Sequence, residues 1–306
     1  MNFPNLQFGV HLPHLGRHVD PQELIDFAQQ LERLGVHSAW VSDHVCWPRE
    51  IDSKYPYTDD GSFGPSPDMV WLDPLHTLTF VAAHTSKLKL GTTVLILPYR
   101  PPVTTAKQLA TMDVLSNGRL IVGVGVGWMR EEAEILGMPW EQRGQRADEQ
   151  LAMFDVLFNE SEPEYAGRFY TLPKVGFEPK PIQKPLPIWV GGSTSAAFKR
   201  VARFGTGFHA AFEPLDNVTA GFNAVKEEAE KLGRDPANIT LSLRTFLDPA
   251  SAMDPAKSIG GDVSQMQEGL AAMENAGISH ILLDPVARGG VQGRLAAITE
   301  FMENVA

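Results

Sequence analysis

The sequence has 306 residues with a formal net charge of −11, and 43% of its residues are hydrophobic. This composition is typical of a soluble globular protein, and its acidic balance argues against nucleic acid or an anionic membrane surface as a partner. The single cysteine, Cys46, leaves no pair for an internal disulfide, which favours a reducing compartment. There is no apolar run of about 20 residues and no secretion signal at Met1–Pro4, so we expect a cytoplasmic protein that does not cross a membrane.

Short apolar stretches alternate with amphipathic ones, as in parallel strands joined by helices. Strands are predicted, in chain order, at 8–12, 39–42, 88–97, 120–125, 188–190, 207–211, 239–246 and 280–283. The helices that follow them are predicted at 20–34, 73–84, 102–115, 145–158, 195–204, 215–232, 263–276 and 291–305. Eight strand–helix pairs in order predict an α/β fold, a closed (β/α)8 TIM barrel forming one domain over residues 1–306.

Two segments are longer than a minimal barrel needs. Residues 46–71 follow the second strand and are rich in proline, glycine, aspartate and tyrosine. Residues 160–187 precede the fifth strand and contain a predicted hairpin at 164–172. Long loops in compact domains are usually functional, and the first insertion leaves the end of the barrel where active sites lie. We therefore expect residues 46–71 to cover an active site, and their aromatic side chains either line it or pack the loop onto the barrel.

A histidine at the end of the second strand is the first candidate for acid–base chemistry. Asp43 and His44 come directly after this strand, and an imidazole titrates near neutral pH. The alternative is that the pair only caps the strand by bonding to backbone. Its place before a long insertion favours the catalytic interpretation, with Asp43 orienting His44 or its loop.

Two glycine-rich turns are candidates for ligand binding. Residues 123–128 read Gly-Val-Gly-Val-Gly-Trp, which fails the dinucleotide fingerprint because Trp128 replaces its third glycine. Gly125 and Gly127 either let a ring or phosphate approach the backbone or thin the strand for packing. Residues 191–194, Gly-Gly-Ser-Thr, join a strand to a helix and predict a phosphate site at the helix N-terminus. Ser193 or Thr194 can equally be an ordinary helix cap.

Histidines near other strand ends leave a metal-dependent hydrolase as a minority alternative. His11 and His14 have the wrong spacing for paired ligands on one strand, although His209 and Asp284 are further candidates. The zinc-protease motif H-E-x-x-H and the serine-hydrolase motif G-x-S-x-G are both absent from the sequence. We therefore predict no metal site.

Together the motifs resemble the bacterial luciferase-like superfamily, in particular its F420-dependent (deazaflavin) oxidoreductase branch. The segments that carry the resemblance are spread over nearly the whole chain: Phe8–Val10, Leu34-Gly35, Trp40–His44, Leu90–Val94, Pro101-Pro102, Ala110–Asp113, Ser116–Arg119, Gly123–Trp128, Pro187–Gly192 and the last strand. Their order and spacing are more specific than any one of them alone.

The resemblance implies a barrel, commonly a homodimer, that holds a flavin or deazaflavin at its C-terminal face. It implies that His44 faces the cofactor ring as proton donor or acceptor and that Thr93-Val94 is a non-proline cis peptide behind the ring. The cofactor-binding residues are then His11, Thr92, Thr93, Val94, Gly125, Gly127, Gly191, Gly192, Ser193 and Thr194, and the substrate-lining residues are Trp47, Trp128 and His209. Trp128 stands where the sugar-phosphate dehydrogenases of the branch carry a glutamate, and phosphate-anchoring lysines and arginines are not evident at the strand ends, which argues against that substrate class.

The main functional hypothesis is an oxidoreductase that transfers a hydride between F420 and a small organic substrate. The nearest alternative is an FMN-dependent monooxygenase that uses oxygen and flavin reduced by a partner reductase. A metal-dependent barrel hydrolase and a cofactor-binding protein without catalysis are alternatives from other classes, because a barrel alone proves no reaction.

Overall fold

The computed structural model describes residues 3–306. Met1 and Asn2, part of the segment in which no secretion signal was found, lie outside the described residues. Within the described residues no helix is long and apolar enough to cross a membrane.

Eight parallel strands close into a barrel. They are β1 Gln7–His11, β2 Ser38–Val41, β3 Lys89–Thr92, β4 Leu120–Gly125, β5 Ile188–Gly191, β6 Gly207–Ala211, β7 Thr240–Asp248 and β8 His280–Pro285. Neighbours in sequence pair in order, β8 pairs with β1, and β4 pairs with β5 through Trp189 opposite Gly123. The sheet therefore has no break, and the predicted (β/α)8 barrel is confirmed.

Helices connect the strands on the outside of the barrel. They are α1 Pro21–Arg33, α2 Pro74–His84, α3 Pro102–Leu115, α4 Arg130–Ile135, α5 Arg143–Asn159, α6 Ser195–Phe204, α7 Leu215–Lys231, α8 Val263–Asn275 and α9 Gly290–Asn304. Asp20 and Asp73 cap α1 and α2 and each precedes a proline at the first helical position, as the sequence indicates.

Two predicted elements differ from the structure. The third strand ends at Thr92 instead of continuing to residue 97. Thr93 N makes the last hydrogen bond to β2, donating to Val41 O at 2.7 Å, and the Thr93–Val94 peptide bond that follows is cis. Only Leu95–Ile96 returns to pair with β4. The connection after β4 contains the unpredicted six-residue helix α4 before α5.

Both insertions lie where they were predicted. The first is closed at its base by an antiparallel pair in which Leu15–Gly16 lies beside Val70–Trp71. The second contains the predicted hairpin, formed by Tyr165–Ala166 and Thr171–Leu172.

The barrel interior is filled by two tryptophans. The ring centroids of Trp40 on β2 and Trp189 on β5 lie 5.3 Å apart, and both side chains are buried. Glycines on neighbouring strands make room for them, since a Cβ on Gly91 would lie 2.3 Å from Trp40 and one on Gly207 would lie 2.5 Å from Trp189. The interior is thus packed, and open space begins only at the C-terminal mouth.

Candidate active site

A cavity of about 1040 Å³ opens at the C-terminal mouth of the barrel. The ends of the barrel strands and the first insertion line it. Most of the predicted site residues are among the lining residues: His11, Asp43, His44, Thr93, Val94, Gly125, Gly127, Trp128, Gly191, Gly192, Ser193, Thr194 and His209. The volume is that of a pocket for a cofactor-sized ligand.

Two predicted residues are not part of the cavity wall. Thr92, predicted to bind cofactor, is fully buried, and its hydroxyl donates to Gly123 O at 2.7 Å on the neighbouring strand. Trp47, predicted to line the substrate site, packs behind the wall, with its ring centroid 4.8 Å from His44 and 4.9 Å from Phe63. Successive side chains of β3 point to opposite faces of the sheet, and that of Thr92 does not face the mouth. Stacking against other aromatic rings holds Trp47 behind the lining residues.

The Thr93–Val94 peptide bond is cis, as the resemblance implies. The Val94 side chain lies between two of the glycines, because a Cβ on Gly125 would come within 2.5 Å of it and one on Gly191 within 3.1 Å. Gly125 therefore makes room for packing, since it admits the valine, and it also borders the cavity; that a ring or phosphate approaches it stays a prediction. The result is a wall of backbone and one branched aliphatic side chain.

His44 is held by a buried glutamate that the sequence analysis did not identify. Its Nδ1 lies 2.6 Å from Oε2 of Glu132, on α4, whose side chain is fully buried. The other carboxylate oxygen accepts the backbone N–H groups of Val45 at 2.6 Å and Cys46 at 3.2 Å. Since an ionised carboxylate only accepts hydrogen bonds, Nδ1 of His44 carries a proton and Nε2 is left to a ligand.

Asp43 is bound to Arg100. The guanidinium reaches both carboxylate oxygens, at 2.5 and 2.8 Å, and Ile96 N donates to the same carboxylate at 2.9 Å. Burial raises the pKa of Asp43, and the Arg100 guanidinium opposes that rise. Asp43 thus fixes the turn after β3 against the end of β2, and no hydrogen bond connects its carboxylate to the His44 ring.

The first insertion covers the cavity with aromatic side chains. Tyr55, Tyr57, Phe63 and Trp71 line it, so these four do more than pack the loop. Burial raises the pKa of Tyr55 to about 12, so its hydroxyl stays protonated. The expectation that residues 46–71 cover the mouth agrees with this placement.

Helix α4 anchors the insertion a second time. Oε1 of Glu131 accepts the N–H groups of Asp52 at 2.9 Å and Ser53 at 3.0 Å. Glu131 and Glu132 therefore fix two points near the start of the insertion from adjacent positions on one short helix.

A positively charged cluster forms the side of the cavity near β7 and β8. Arg244 contacts Asp284 at 2.5 Å, and Arg294 and His11 lie 3.7 and 3.9 Å from the same carboxylate. Burial alone raises the pKa of Asp284, but Arg244, His11 and Arg294 hold it well below its usual range. Burial also lowers the pKa of His11 far below its usual value. Two guanidiniums thus face one carboxylate, and Nε of each arginine has no hydrogen-bond partner in the described residues.

The turn before α6 faces the opposite side of the cavity. Thr194 is the cap of this helix, since its hydroxyl accepts Ala197 N at 3.2 Å, whereas Ser193 is exposed and borders the cavity. Arg143 and Arg200 line the cavity here as well. Arg200 is already paired with Asp148 at 2.6 Å, so the backbone N–H groups at the helix N-terminus and Arg143 are the groups here that suit an anion.

The histidines suggested for a metal hydrolase make other bonds. His209 uses both ring nitrogens, with Nε2 at 2.9 Å from Thr93 Oγ1 and Nδ1 at 2.9 Å from Ser242 Oγ. His11 Nε2 lies 3.2 Å from Ser42 Oγ. In the part of the chain that the structure describes, no group of three or more His, Cys, Asp or Glu side chains has an arrangement that could hold a metal ion.

The residues missed from the sequence share one property. Glu132, Arg100 and Arg294 act through contacts with residues distant in sequence, such as the separation of 88 positions between Glu132 and His44. The one local signal was the adjacent Glu131-Glu132 pair shortly after the glycine-rich turn.

Comparison with known proteins adds independent information. A model of the luciferase-like monooxygenase family matches residues 1–285. An uncharacterised protein of Mycobacterium tuberculosis is 35% identical over 209 residues, which cover 68% of this chain and 72% of that protein. An F420-dependent glucose-6-phosphate dehydrogenase of Kineococcus radiotolerans is 31% identical over 245 residues, covering 76% of this chain and 67% of that enzyme.

A solved structure with the same fold is an F420-dependent secondary alcohol dehydrogenase in complex with an F420–acetone adduct. It superposes with a TM-score of 0.79, covers 98% of each chain and is 18% identical. At this identity the likeness supports the shared barrel fold and nothing finer.

Proposed function

We propose that this chain, which belongs to the luciferase-like monooxygenase family, is an oxidoreductase that transfers a hydride between coenzyme F420 and a small organic substrate. One observation carries the proposal: a carboxylate-held histidine faces a cavity whose wall includes Thr93 and Val94. The choice of F420 is supported by the Kineococcus relative, whose name describes an F420-dependent dehydrogenase.

The residues present fit a deazaflavin. The cavity is large enough for a three-ring system, and Val94 between Gly125 and Gly191 offers an apolar contact for one ring face. Gly192 and Ser193 at the N-terminus of α6 would hold the phosphate of the cofactor's tail, next to Arg143 and Arg200. When bound, the cofactor supplies the hydride donor or acceptor.

His44 moves the proton that accompanies the hydride. In alcohol oxidation its Nε2 accepts the hydroxyl proton, and in carbonyl reduction it returns that proton to the oxygen. Glu132 keeps Nδ1 protonated and stabilises the imidazolium formed on proton uptake, so Nε2 is the nitrogen that exchanges the proton.

The wall around His44 favours a substrate with an apolar body. Phe63, Trp71 and Trp128 surround the imidazole, with ring centroids 5.0 to 6.1 Å from it. These rings also exclude water from the proton-transfer site, which strengthens electrostatic interactions there. Across the cavity, Arg244 and Arg294 suit a carbonyl or carboxylate group, so we propose a hydroxy or carbonyl compound with an apolar portion.

An FMN-dependent monooxygenase is the second candidate, favoured by the description of the family model. FMN has a similar ring and a phosphate, so the same wall and turn can serve it. That enzyme would need reduced flavin from a partner reductase and would consume oxygen. For either function we propose a cytoplasmic protein that forms a homodimer. Light scattering of the purified protein tests the dimer.

Cofactor titration decides between these functions. Purified protein is titrated with oxidised F420 and with FMN, and each Kd is read from absorbance and fluorescence changes. We expect F420 to bind in the micromolar range, and hydride transfer in a panel of alcohols and ketones is then followed by the loss or gain of F420 absorbance.

The other outcomes are equally informative. Oxygen uptake with reduced FMN, and no F420 turnover, would establish the monooxygenase. Binding of F420 without turnover on any substrate would indicate a cofactor-binding protein. If neither cofactor binds in the micromolar range, the proposal is wrong.

A further inference from the structure

A buried chain of hydrogen bonds crosses the barrel interior and ends at the cavity wall. In order its members are Trp40 Nε1, Ser38 Oγ, the His280 ring, Ser242 Oγ, the His209 ring and Thr93 Oγ1. The successive distances are 2.8, 2.9, 2.9, 2.9 and 2.9 Å. No member is more than 6% exposed, and Thr93 and His209 border the cavity.

The direction of this chain is set at its far end. The indole N–H of Trp40 can only donate, so Ser38 accepts from it. The Ser38 hydroxyl has one other partner among the described residues, Nε2 of His280, and must give it its proton. His280 therefore accepts at Nε2 and carries its own proton on Nδ1.

The same logic continues to the cavity. Nδ1–H of His280 donates to Ser242, whose hydroxyl proton goes to Nδ1 of His209. Nε2–H of His209 then donates to Thr93 Oγ1. Both imidazoles are neutral, because burial lowers the pKa of His209 to about 3 and that of His280 far below its usual value.

The opposite direction leaves a buried group without a partner. If His280 donated from Nε2, Ser38 would accept two hydrogen bonds and its own proton would have no acceptor within residues 3–306. A buried donor without an acceptor is costly, whereas the first direction satisfies every proton in the chain.

We infer that Thr93 presents a hydroxyl proton to the cavity as a fixed hydrogen-bond donor, and that it binds an acceptor atom of the cofactor ring, a carbonyl oxygen or an unprotonated ring nitrogen. The identity of the ring rests on the proposed function, but the donor direction does not. Thr93 is thus a specificity determinant for the ring edge, and Trp40 acts as a positioning residue from the opposite end of the chain.

The tautomers of the two histidines test the direction without any cofactor. Protein labelled with ¹⁵N in the histidine rings is examined by NMR in the wild-type form and as Thr93→Val, which identifies the His209 signals by their shift. We expect a neutral His209 protonated on Nε2 and a neutral His280 protonated on Nδ1. The reverse tautomers, or a charged ring at pH 7, would overturn the inference.

Cofactor binding tests the role of the donor. The Kd for oxidised F420 and the absorbance maximum of the bound cofactor are measured for wild type, Thr93→Val and Thr93→Ser. Loss of one hydrogen bond should weaken binding by the valine variant up to about tenfold and shift its absorbance, while the serine variant stays within about twofold of wild type. Equal Kd values and spectra for all three proteins would refute the role of Thr93.

Trp40→Phe extends the test to the far end of the chain. With the N–H removed, Ser38 is free to accept from His280, so we expect the His209 signals to show a mixture of tautomers and a weaker F420 affinity. Unchanged tautomers in a folded variant would contradict the role of Trp40.

If wild type binds neither F420 nor FMN, the proposed function fails, and the NMR result alone still decides the donor direction.

Discussion

Two of the histidines that border the cavity lie at different places, and their neighbours give them different chemistry. His44 lies at the end of β2 against the carboxylate of Glu132, in a setting made by α4 and the aromatic insertion. His209 lies on β6 between the hydroxyls of Thr93 and Ser242, inside the barrel. A carboxylate stabilises a protonated ring, whereas two hydroxyls in a buried site favour a neutral one. The first histidine is therefore suited to exchange a proton, and the second to orient a hydrogen bond.

Removing the proton-exchanging ring should have the largest effect. His44→Asn keeps an amide that can donate to Glu132 but has no group that exchanges a proton near neutral pH. We expect turnover of the F420-linked substrate to fall by about 10² to 10⁴-fold, with the cofactor Kd nearly unchanged. The control is His18→Asn, because His18 is exposed and does not line the cavity. An unchanged rate for His44→Asn would remove its assigned role.

Removing only the charge beside His44 should have the next largest effect. In wild type one carboxylate oxygen accepts from His44 and the other from backbone N–H groups, whereas the amide of Glu132→Gln has only one accepting oxygen. Its NH₂ group therefore faces one of these donors and favours the wrong tautomer of the ring. We expect a loss of turnover of about 10 to 100-fold. Glu131→Gln is the matched control, since its single accepting oxygen is retained. Similar rates for the two variants would show that the carboxylate beside His44 has no special role.

The neutral histidine should be visible in the pH dependence of stability. The pKa of His209 is lowered to about 3, so between about pH 3 and 6.5 the unfolded chain binds a proton there that the folded chain does not. The contribution of His209 to the free energy of unfolding is therefore fully present above the unfolded pKa of about 6.5 and is lost as the pH falls. Denaturant unfolding between pH 5 and 6 should show a slope smaller by about 1.2 kcal/mol per pH unit in His209→Gln. An identical slope in variant and wild type would argue that His209 is charged in the folded protein, and His18→Gln serves as the control.

Changes in the aromatic wall should have the smallest effects. Trp128 borders the cavity and Trp47 stacks behind it. Trp128→Phe should raise the substrate KM by roughly fivefold, and Trp47→Phe should change it by less than about twofold. A larger effect at Trp47 would mean that this ring reaches the substrate after all.

The barrel could be predicted because its evidence is local. Each strand is a short apolar run followed by a helix with a recognisable start, and counting such pairs needs no knowledge of contacts. The first insertion was predictable for the same reason, as a long polar and aromatic segment after the second strand. The end of β3 and the short helix α4 were the exceptions. The residues after Thr92 are as apolar as those before it, so the sequence does not mark the end of that strand.

The site was predictable only in part. His44 and the turn at residues 191–194 were found because strand ends can be read from the sequence, and the cis peptide came from the resemblance. Glu132 and Arg100 were missed because their roles depend on contacts 88 and 57 positions away. The hydrogen-bond chain behind Thr93 was missed because serine, histidine and tryptophan on four strands carry no shared pattern along the sequence.

The two glutamates of α4 also bear on how this cavity can change over evolutionary time. Glu132 fixes the backbone at residues 45 and 46 and Glu131 fixes it at 52 and 53, while the base of the insertion is closed by Val70–Trp71. The stretch between residues 54 and 69 is thus a separate short loop, and altering its length changes the entropy of closing that loop only slightly. Substitutions, insertions and deletions there can be selected for new substrates while His44 and its carboxylate keep their geometry. The anchors thus allow this segment to vary without moving the residues that hold His44.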